Sequence, residues 1–390
     1  MAEREEDTTL LAKSTIFSVR SPADARAHYL LVVDGPSKGM RIPVTGRPFV
    51  IGRSEPADVV LADPKVSRRH CRVSEAFAEL VVVDLESSNG TYVDGQRIAG
   101  GAPLPVGSRL QIGSHVLEHE WRIRKEVEES QELDRDLEQA SKYIQALLPA
   151  PLVEGPVRCD WVLVPCARLG GDAFGYRLLD ANRFSIFLID VSGHGASAAM
   201  HAVSVLNILR QSQIPGTDFG DPASVIKLLN GMFRSESHGQ MYLTIWYGVY
   251  DIAARTLIYG SAGHHAALLV DPARTRIEPL RTRNPAVGVM SRDSFITGSA
   301  PIAPGSTLYV FSDGVFEVTT KAGEQWDFAG FEDLVLRPAV PGQTESQRLL
   351  TAVRDVSRDP QLEDDFTLIA FTFLDRVAAR APDETWPSRK

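Results

Sequence analysis

Aspartates beside glycines or at the ends of apolar runs carry the first chemistry legible in this chain. Four such acidic stations occur: Gly170-Gly171-Asp172, Asp190-Val191-Ser192-Gly193-His194-Gly195, Phe311-Ser312-Asp313-Gly314 and Glu363-Asp364-Asp365-Phe366-Thr367. Carboxylates and backbone carbonyls are the donors that magnesium and manganese favour. Asp190 closes the apolar run that begins at Phe184 and precedes a turn with two glycines, so its carboxylate and the local backbone can share one hard cation. Collecting such acids in one cleft is costly without cations to neutralise them. A single station reads equally well as a turn aspartate; four in one segment argue for a common site.

A second set lies upstream, in Ile51-Gly52-Arg53-Ser54, Val66-Ser67-Arg68-Arg69-His70 and Ser87-Ser88-Asn89-Gly90-Thr91. An arginine, hydroxyls and an amide on neighbouring loops can hold a phosphate dianion through charge-assisted hydrogen bonds. Gly52 and Gly90 permit the turns this requires.

The elements that must position these residues fall into blocks. Residues 1–27 are polar and expected to be a flexible tail, with Thr8 and Thr9 directly after Glu5-Glu6-Asp7. Residues 28–122 carry short apolar runs separated by turn signals such as Asp34-Gly35-Pro36, Ser88-Asn89-Gly90 and Asp94-Gly95, which predicts an all-β sandwich. Residues 123–149 are charged and helix-prone, with Leu133, Leu137, Ala140, Ile144 and Leu147 at heptad spacing before Pro149 and Pro151 stop the helix. That linker reads two ways: packed on the following domain, or pairing with a second copy as a homodimer. Residues 150–376 alternate strands with helices, including Arg183–Val191, Ala196–Gln213, Pro222–Arg234 and Tyr242–Asp251, which predicts an α+β sandwich. Residues 377–390 are expected to be a disordered tail.

A chain of 390 residues, 44% hydrophobic, is long enough for two cored domains, and its net charge of -9 argues against general nucleic-acid binding. Its 3 cysteines have no metal or redox spacing, and no apolar run is long enough to span a bilayer, so a cytoplasmic location is expected.

The Arg53, Ser67 and Asn89 segments resemble, in order, the forkhead-associated (FHA) domain signature. The resemblance implies that Arg53 and Ser67 bind the phosphate of a phosphothreonine, that Ser88 assists, that Asn89 holds the peptide backbone and that His70 buttresses the loop. The four acidic stations, with Ala146-Leu147-Leu148-Pro149 and Ser261-Ala262-Gly263-His264, resemble the metal-dependent protein phosphatases (type 2C, PPM) of the bacterial SpoIIE/RsbU-like branch. This implies an α-β-β-α sandwich and two-metal hydrolysis of phosphoserine or phosphothreonine with two divalent cations, Mn2+ or Mg2+. Asp190 would bridge both cations, the Val191 carbonyl would bind one, Asp313 and Asp364 would hold the other, and Asp172 would serve the Asp190 side. Asp365 is the less favoured acid of its pair, and Thr367 is read as starting a strand. Gly175 stands where many members carry a second acid, and Ser192 where eukaryotic relatives place a histidine; His194 is left open between general acid and turn former, and His264 is read mainly as structural.

The expected substrate is a phosphorylated partner protein, by resemblance an antagonist of an anti-sigma factor. The FHA pocket is expected to bind a Ser/Thr kinase, another phosphothreonine protein, or the chain's own tail phosphorylated at Thr8 or Thr9. The alternative is a phosphothreonine-dependent scaffold whose phosphatase domain is degenerate.

Overall fold

The computed structural model describes residues 26–76, 79–233, 241–359 and 362–375, so Thr8, Thr9 and the 377–390 tail lie outside the described residues. The chain divides into two compact units, Met1–Arg135 and Asp136–Lys390. The division falls inside the helix α1 (Arg124–Leu147), where the sequence suggested a separate linker. No helix among the described residues is long and apolar enough to cross a membrane.

The first unit is a sandwich of two sheets. Its strands are β1 (Arg26–Asp34), β2 (Arg41–Pro43), β3 (Phe49–Gly52), β4 (Val59–Val60), β5 (Cys71–Ala76), β6 (Glu79–Asp84), β7 (Thr91–Val93), β8 (Gln96–Arg97), β9 (Gly101–Leu104), β10 (Arg109–Ile112) and β11 (His115–Ile123). One sheet runs β2-β1-β11-β10-β7-β8 and the other β4-β3-β5-β6-β9. Period-two alternation fills the space between them. Leu110 and Ile112 turn inward while Arg109 and Gln111 face solvent. Leu30, Val32 and Leu117 meet Ile51, Val73 and Val82 in one buried cluster.

The second unit has four layers. Strands β12 (Val157–Val164), β13 (Asp172–Leu178), β14 (Arg183–Val191), β15 (Leu243–Asp251), β16 (Thr256–Ala262), β17 (Ala267–Val270), β18 (Ile277–Leu280), β19 (Gly298–Pro301), β20 (Thr307–Phe311) and β21 (Phe366–Phe373) form two sheets. Their orders are β13-β14-β15-β16-β19 and β12-β21-β20-β17-β18. Ile186 and Leu188 of β14 pack against Val310, Ile369 and Phe371 in the space between the sheets. The alternate residues Phe187 and Ile189 pack outward on α2 (Ala196–Gln211) and α3 (Pro222–Met232). On the other outer face, Leu368 and Phe366 pack on α4 (Phe328–Leu336) and α5 (Glu345–Val356).

Both faces of these central strands are therefore apolar, which is why they read as continuous hydrophobic runs. The helices start where capping side chains stop the preceding loop. Asp221 accepts hydrogen bonds from the Ala223 and Ser224 amides ahead of α3, and Thr344 accepts one from Gln347 ahead of α5.

Candidate functional site

Pairing between β13 and β14 sets the centre of the acidic site. Asp172 lies directly opposite Asp190 in antiparallel register. Both belong to the strand face whose later residues, Phe174, Tyr176, Leu188 and Ile186, fill the space between the sheets. Two carboxylates directly opposite each other repel. Burial and the neighbouring charges of Asp190 and Asp365 hold Asp172 well above the usual carboxylate range. Burial, with Asp313, Asp364, Asp365 and Glu317, raises Asp190 to about 7. Burial, then Asp364 and Glu317, raises Asp313 to about 6.

The other sheet closes the site through β21 and the 3-10 turn Asp313–Val315. Thr367 Oγ1 donates to Asp172 Oδ2 at 2.6 Å, tying the two sheets together at the acidic end. Ser312 fixes the turn to β21: its hydroxyl donates to the Asp365 carbonyl at 2.9 Å and accepts from the Thr367 amide at 2.9 Å. Gly314 is required beneath, because a Cβ there would run into the Asp365 carbonyl.

The two adjacent acids of the last station do different work. Asp364 is exposed. Asp365 is buried, and its carboxylate accepts the Cys166 amide at 2.9 Å and the Gly171 amide at 2.7 Å. It therefore ties the 166–171 loop against the site, and a Cβ at Gly170 would strike it. Cys166 Sγ lies within 4.8 Å of a carboxylate oxygen from each of Asp364 and Asp365. Burial and those two acids push its thiol up to about 12, so in the absence of a cation it is a neutral thiol.

The Val191 carbonyl sits at the same end of β14, and a Cβ at Gly171 would approach it to 2.6 Å. Asp172, Asp190 and Asp313 act on one another or on shared neighbours at this end of the sheets, with Asp364 beside them, and such oxygen donors are of the kind hard divalent cations take, the raised carboxylates marking the charge such cations would neutralise.

Gly175 faces the other way. It pairs with Phe187 on the helix-facing side of the sheet, where a Cβ would meet the Phe187 ring at 2.5 Å. An acid at this position would enter the apolar layer under α2 rather than the acidic end. His194 is exposed on the turn before α2. His264 is buried and held neutral, its pKa pushed well below the usual histidine range by burial.

Several participants were not legible as such. Glu317 follows Asp313 by four residues, its amide donates to the Asp313 carbonyl at 2.8 Å, and its charge acts on both Asp190 and Asp313. An acid one turn after the Asp-Gly pair was the available signal. Thr367, read as a strand start, also holds Asp172, and Ser312 had no signal beyond its neighbourhood.

The end of α1 places Ile144 and Gln145, and Leu148 just after it, around a cavity of ≈ 20 Å³ whose other wall includes Leu169, Gly170, Asp172 and Asp365.

In the first unit, the loops after β3, β4 and β6 meet around His70. The Ser67 amide donates to His70 Nδ1 at 3.0 Å, which leaves Nε2 as the protonated nitrogen facing the Gly90 carbonyl at 3.1 Å. Burial lowers the pKa of His70 and favours this neutral form. Ser67 Oγ accepts the Ser88 amide at 3.0 Å, Asn89 Nδ2 donates to the Lys65 carbonyl at 2.7 Å, and the Arg53 amide donates to the Ser67 carbonyl at 2.9 Å. Asp84 braces the 87–91 turn through both hydroxyls of Ser87 and Thr91, each at 2.6 Å. Arg53, Ser88 and Asn89 are exposed around this frame, so a cation, a hydroxyl and an amide are presented to solvent.

Comparison with known proteins agrees with both units. The model of the stage II sporulation protein E (SpoIIE) family matches residues 180–374, half of the chain, and the FHA domain model matches residues 49–113. The phosphoserine phosphatase RsbP of Bacillus subtilis is 32% identical over 189 residues, covering 47% of this chain and 46% of that protein. The FHA domain-containing protein FhaB of Mycobacterium tuberculosis is 36% identical over 109 residues, covering 28% of this chain and 70% of that protein. The SiaA-PP2C domain of Pseudomonas aeruginosa superposes with a TM-score of 0.55 at 21% identity, covering 63% of this chain and 98% of that one, which shows the shared fold. The chain thus spans about half the length of RsbP. By its matched half and its four-layer fold, the chain belongs to the SpoIIE family, with an FHA domain ahead of its PP2C-type domain.

Proposed function

We propose that the protein is a metal-dependent phosphatase that hydrolyses phosphoserine or phosphothreonine on a partner protein. One observation carries the reading: carboxylates from separate strands and turns converge at one end of the two facing sheets, where burial and mutual repulsion hold them above their ordinary pKa. That arrangement costs stability unless cations occupy it.

Asp190 would contribute to both cation sites, with the Val191 carbonyl and Asp172 on one side and Asp313 and Asp364 on the other. Divalent cations, Mn2+ or Mg2+, would supply Lewis acidity that lowers the pKa of water and offsets phosphoryl charge. The chain's own residues keep this donor set in place. Thr367 and the Asp190 strand orient Asp172, Ser312 holds the Asp313 turn, and Asp365 holds the 166–171 loop. His194, exposed and free of burial, is the remaining candidate proton donor to the leaving hydroxyl.

The FHA pocket would recruit a phosphothreonine protein, either a Ser/Thr kinase, a substrate or the chain's own tail, and so raise the local concentration of substrate. The substrate itself would be a small phosphorylated partner-switching protein, an antagonist of an anti-sigma factor. A homodimer through α1 would use Leu133, which is 59% exposed.

The test is Mn2+-dependent phosphate release from an aryl phosphate and a phosphoserine peptide, with Asp190→Asn as control. Turnover abolished by chelation and by the substitution is expected. Metal-independent turnover would overturn the metal-dependent reading, and no turnover even with manganese and a range of phosphoproteins would leave the phosphothreonine-binding scaffold as the function.

A further inference from the structure

None of the charges acting most strongly on Asp172, Asp190 or Asp313 is cationic. With divalent cations there to meet the phosphoryl group, acidic residues flanking it on a polypeptide still need positive charge from elsewhere. The segment from Arg281 to Val287 carries it.

Alternation along this segment is enforced by hydrogen bonds. Thr282 and Asn284 turn inward and are buried. Thr282 Oγ1 accepts the Ser261 amide at 2.7 Å. Asn284 donates to the Ser261 carbonyl at 3.0 Å and the Ile296 carbonyl at 2.9 Å, and its own oxygen accepts the Ile296 amide at 2.8 Å. The residues between and before them, Arg281 and Arg283, are thereby turned outward. Both are exposed, and neither guanidinium has an ion-pair or hydrogen-bond partner among the described residues. With Asn284 and Pro285 they line an open cleft of ≈ 560 Å³.

Strand pairing fixes where this cleft lies. Val287 and Leu243 exchange backbone hydrogen bonds of 2.9 and 3.2 Å, and Leu243 pairs with Val191 just as Thr244 pairs with Asp190. The Gly263 amide donates to the Asn284 carbonyl at 3.0 Å. Two residues on, the His265 ring packs on Phe311 at 4.6 Å, immediately before Ser312 and Asp313. Through Asn284 and Val287 the segment that begins at Arg281 thus runs to the same end of the sheets as the acids. Tyr242, Val289 and Met290 add exposed apolar surface along its margin, 44%, 51% and 54% accessible. Arginine beside aromatic and methionine surface is the composition of protein-binding patches.

We propose that Arg281 and Arg283 form a docking subsite for acidic residues flanking the phosphorylated side chain of a protein substrate. This rests on the phosphatase reading above and specifies its substrate: a phosphopeptide segment with Asp or Glu beside the phosphoresidue. The open cleft and the alternate spacing suit carboxylates on an extended chain, and the charge match would fix binding register.

The experiment uses the full chain carrying R53A in every arm, so that the FHA pocket does not contribute. Wild-type 281/283, R281Q/R283Q and R281E/R283E are compared on two phosphoserine peptides, one with Glu and one with Gln around the phosphoserine. Turnover with Mn2+ and, separately, binding by fluorescence anisotropy in chelator are measured, and thermal melting checks that each variant is folded. The arginine pair should favour the Glu peptide by about tenfold, mainly through KM and affinity. R281Q/R283Q should bring the ratio to near one, and R281E/R283E should invert it. Equal use of both peptides by the arginine form, or a preference that survives R281Q/R283Q, would overturn the subsite. Absence of Mn2+-dependent turnover on either peptide and on aryl phosphate would instead overturn the phosphatase reading, and the anisotropy ratio alone would then decide the subsite.

Discussion

Asp172 and Asp190 face each other across a strand pair with no cationic neighbour among their strongest influences, and the consequence is a pH dependence of unusual sign. Their folded pKa values are raised, as is that of Asp313, so the metal-free folded state binds more protons than the unfolded chain between about pH 4 and pH 7. The associated stability is present below the unfolded pKa and is lost as pH rises through the folded values of about 6 and about 7. We therefore expect the melting temperature of chelator-treated protein to fall between pH 5 and pH 8, and saturating Mn2+ to remove most of that fall. A metal-free melting curve that rises over this range would contradict the charge arrangement. By the same argument Asp190→Asn should raise the metal-free melting temperature at pH 8, by on the order of 3 °C, while abolishing turnover. Gly175→Asp should not supply an extra ligand; with the Phe187 ring in the way it should destabilise the protein by about 2 kcal/mol or more, read from denaturant midpoints. In the FHA unit, His70→Phe strands the Ser67 amide and the Gly90 carbonyl and should cost about 1–3 kcal/mol, whereas Arg53→Ala should lose phosphothreonine-peptide binding with little change in melting.

At the scale of elements, α1 shows how one sequence pattern serves different environments. Its heptad positions are equivalent in spacing, yet Leu133 is 59% exposed while Leu147 and Leu148 pack into the core of the second unit. The reading of the helix as packed on the following unit thus has residues at its C-terminal end. Leu148→Asp should lower stability and phosphatase turnover together, because Leu148 also lines the cavity beside Asp172 and Asp365. Leu133→Asp should leave melting nearly unchanged and affect only association, measured by analytical ultracentrifugation. The strand β13 illustrates the opposite case. Asp172 reads as a turn residue because two glycines precede it and Gly175 interrupts the apolar run, but the strand is completed by pairing with β14 and by Phe187 covering the glycine. Likewise β18 and β19 contain Pro279 and Pro301, which mask them as strands in the sequence; both occupy sheet edges, where a missing amide is tolerated.

For the whole molecule, the two compact units predict two calorimetric transitions. Mn2+ should raise only the transition of the SpoIIE-type unit, and a phosphothreonine peptide only that of the FHA unit, each as expected for a ligand binding one folded state. A peptide that also shifts the Mn2+-sensitive transition would show energetic linkage beyond recruitment. Much of this organisation is written in the chain. The acidic stations, the Arg53, Ser67 and Asn89 loops and the change to a charged helix are local patterns, set by residue type and spacing over a few positions. What only the tertiary structure decided is which acids meet, and with what. Asp365 is committed to the Cys166 and Gly171 amides, Thr367 to Asp172, and Glu317 joins the acids while Gly175 turns away from them. Arg281 and Arg283 acquire meaning only once Thr282 and Asn284 turn inward beside Ser261. These relations depend on strand register and on contacts between residues up to 199 positions apart, and no local spacing encodes those.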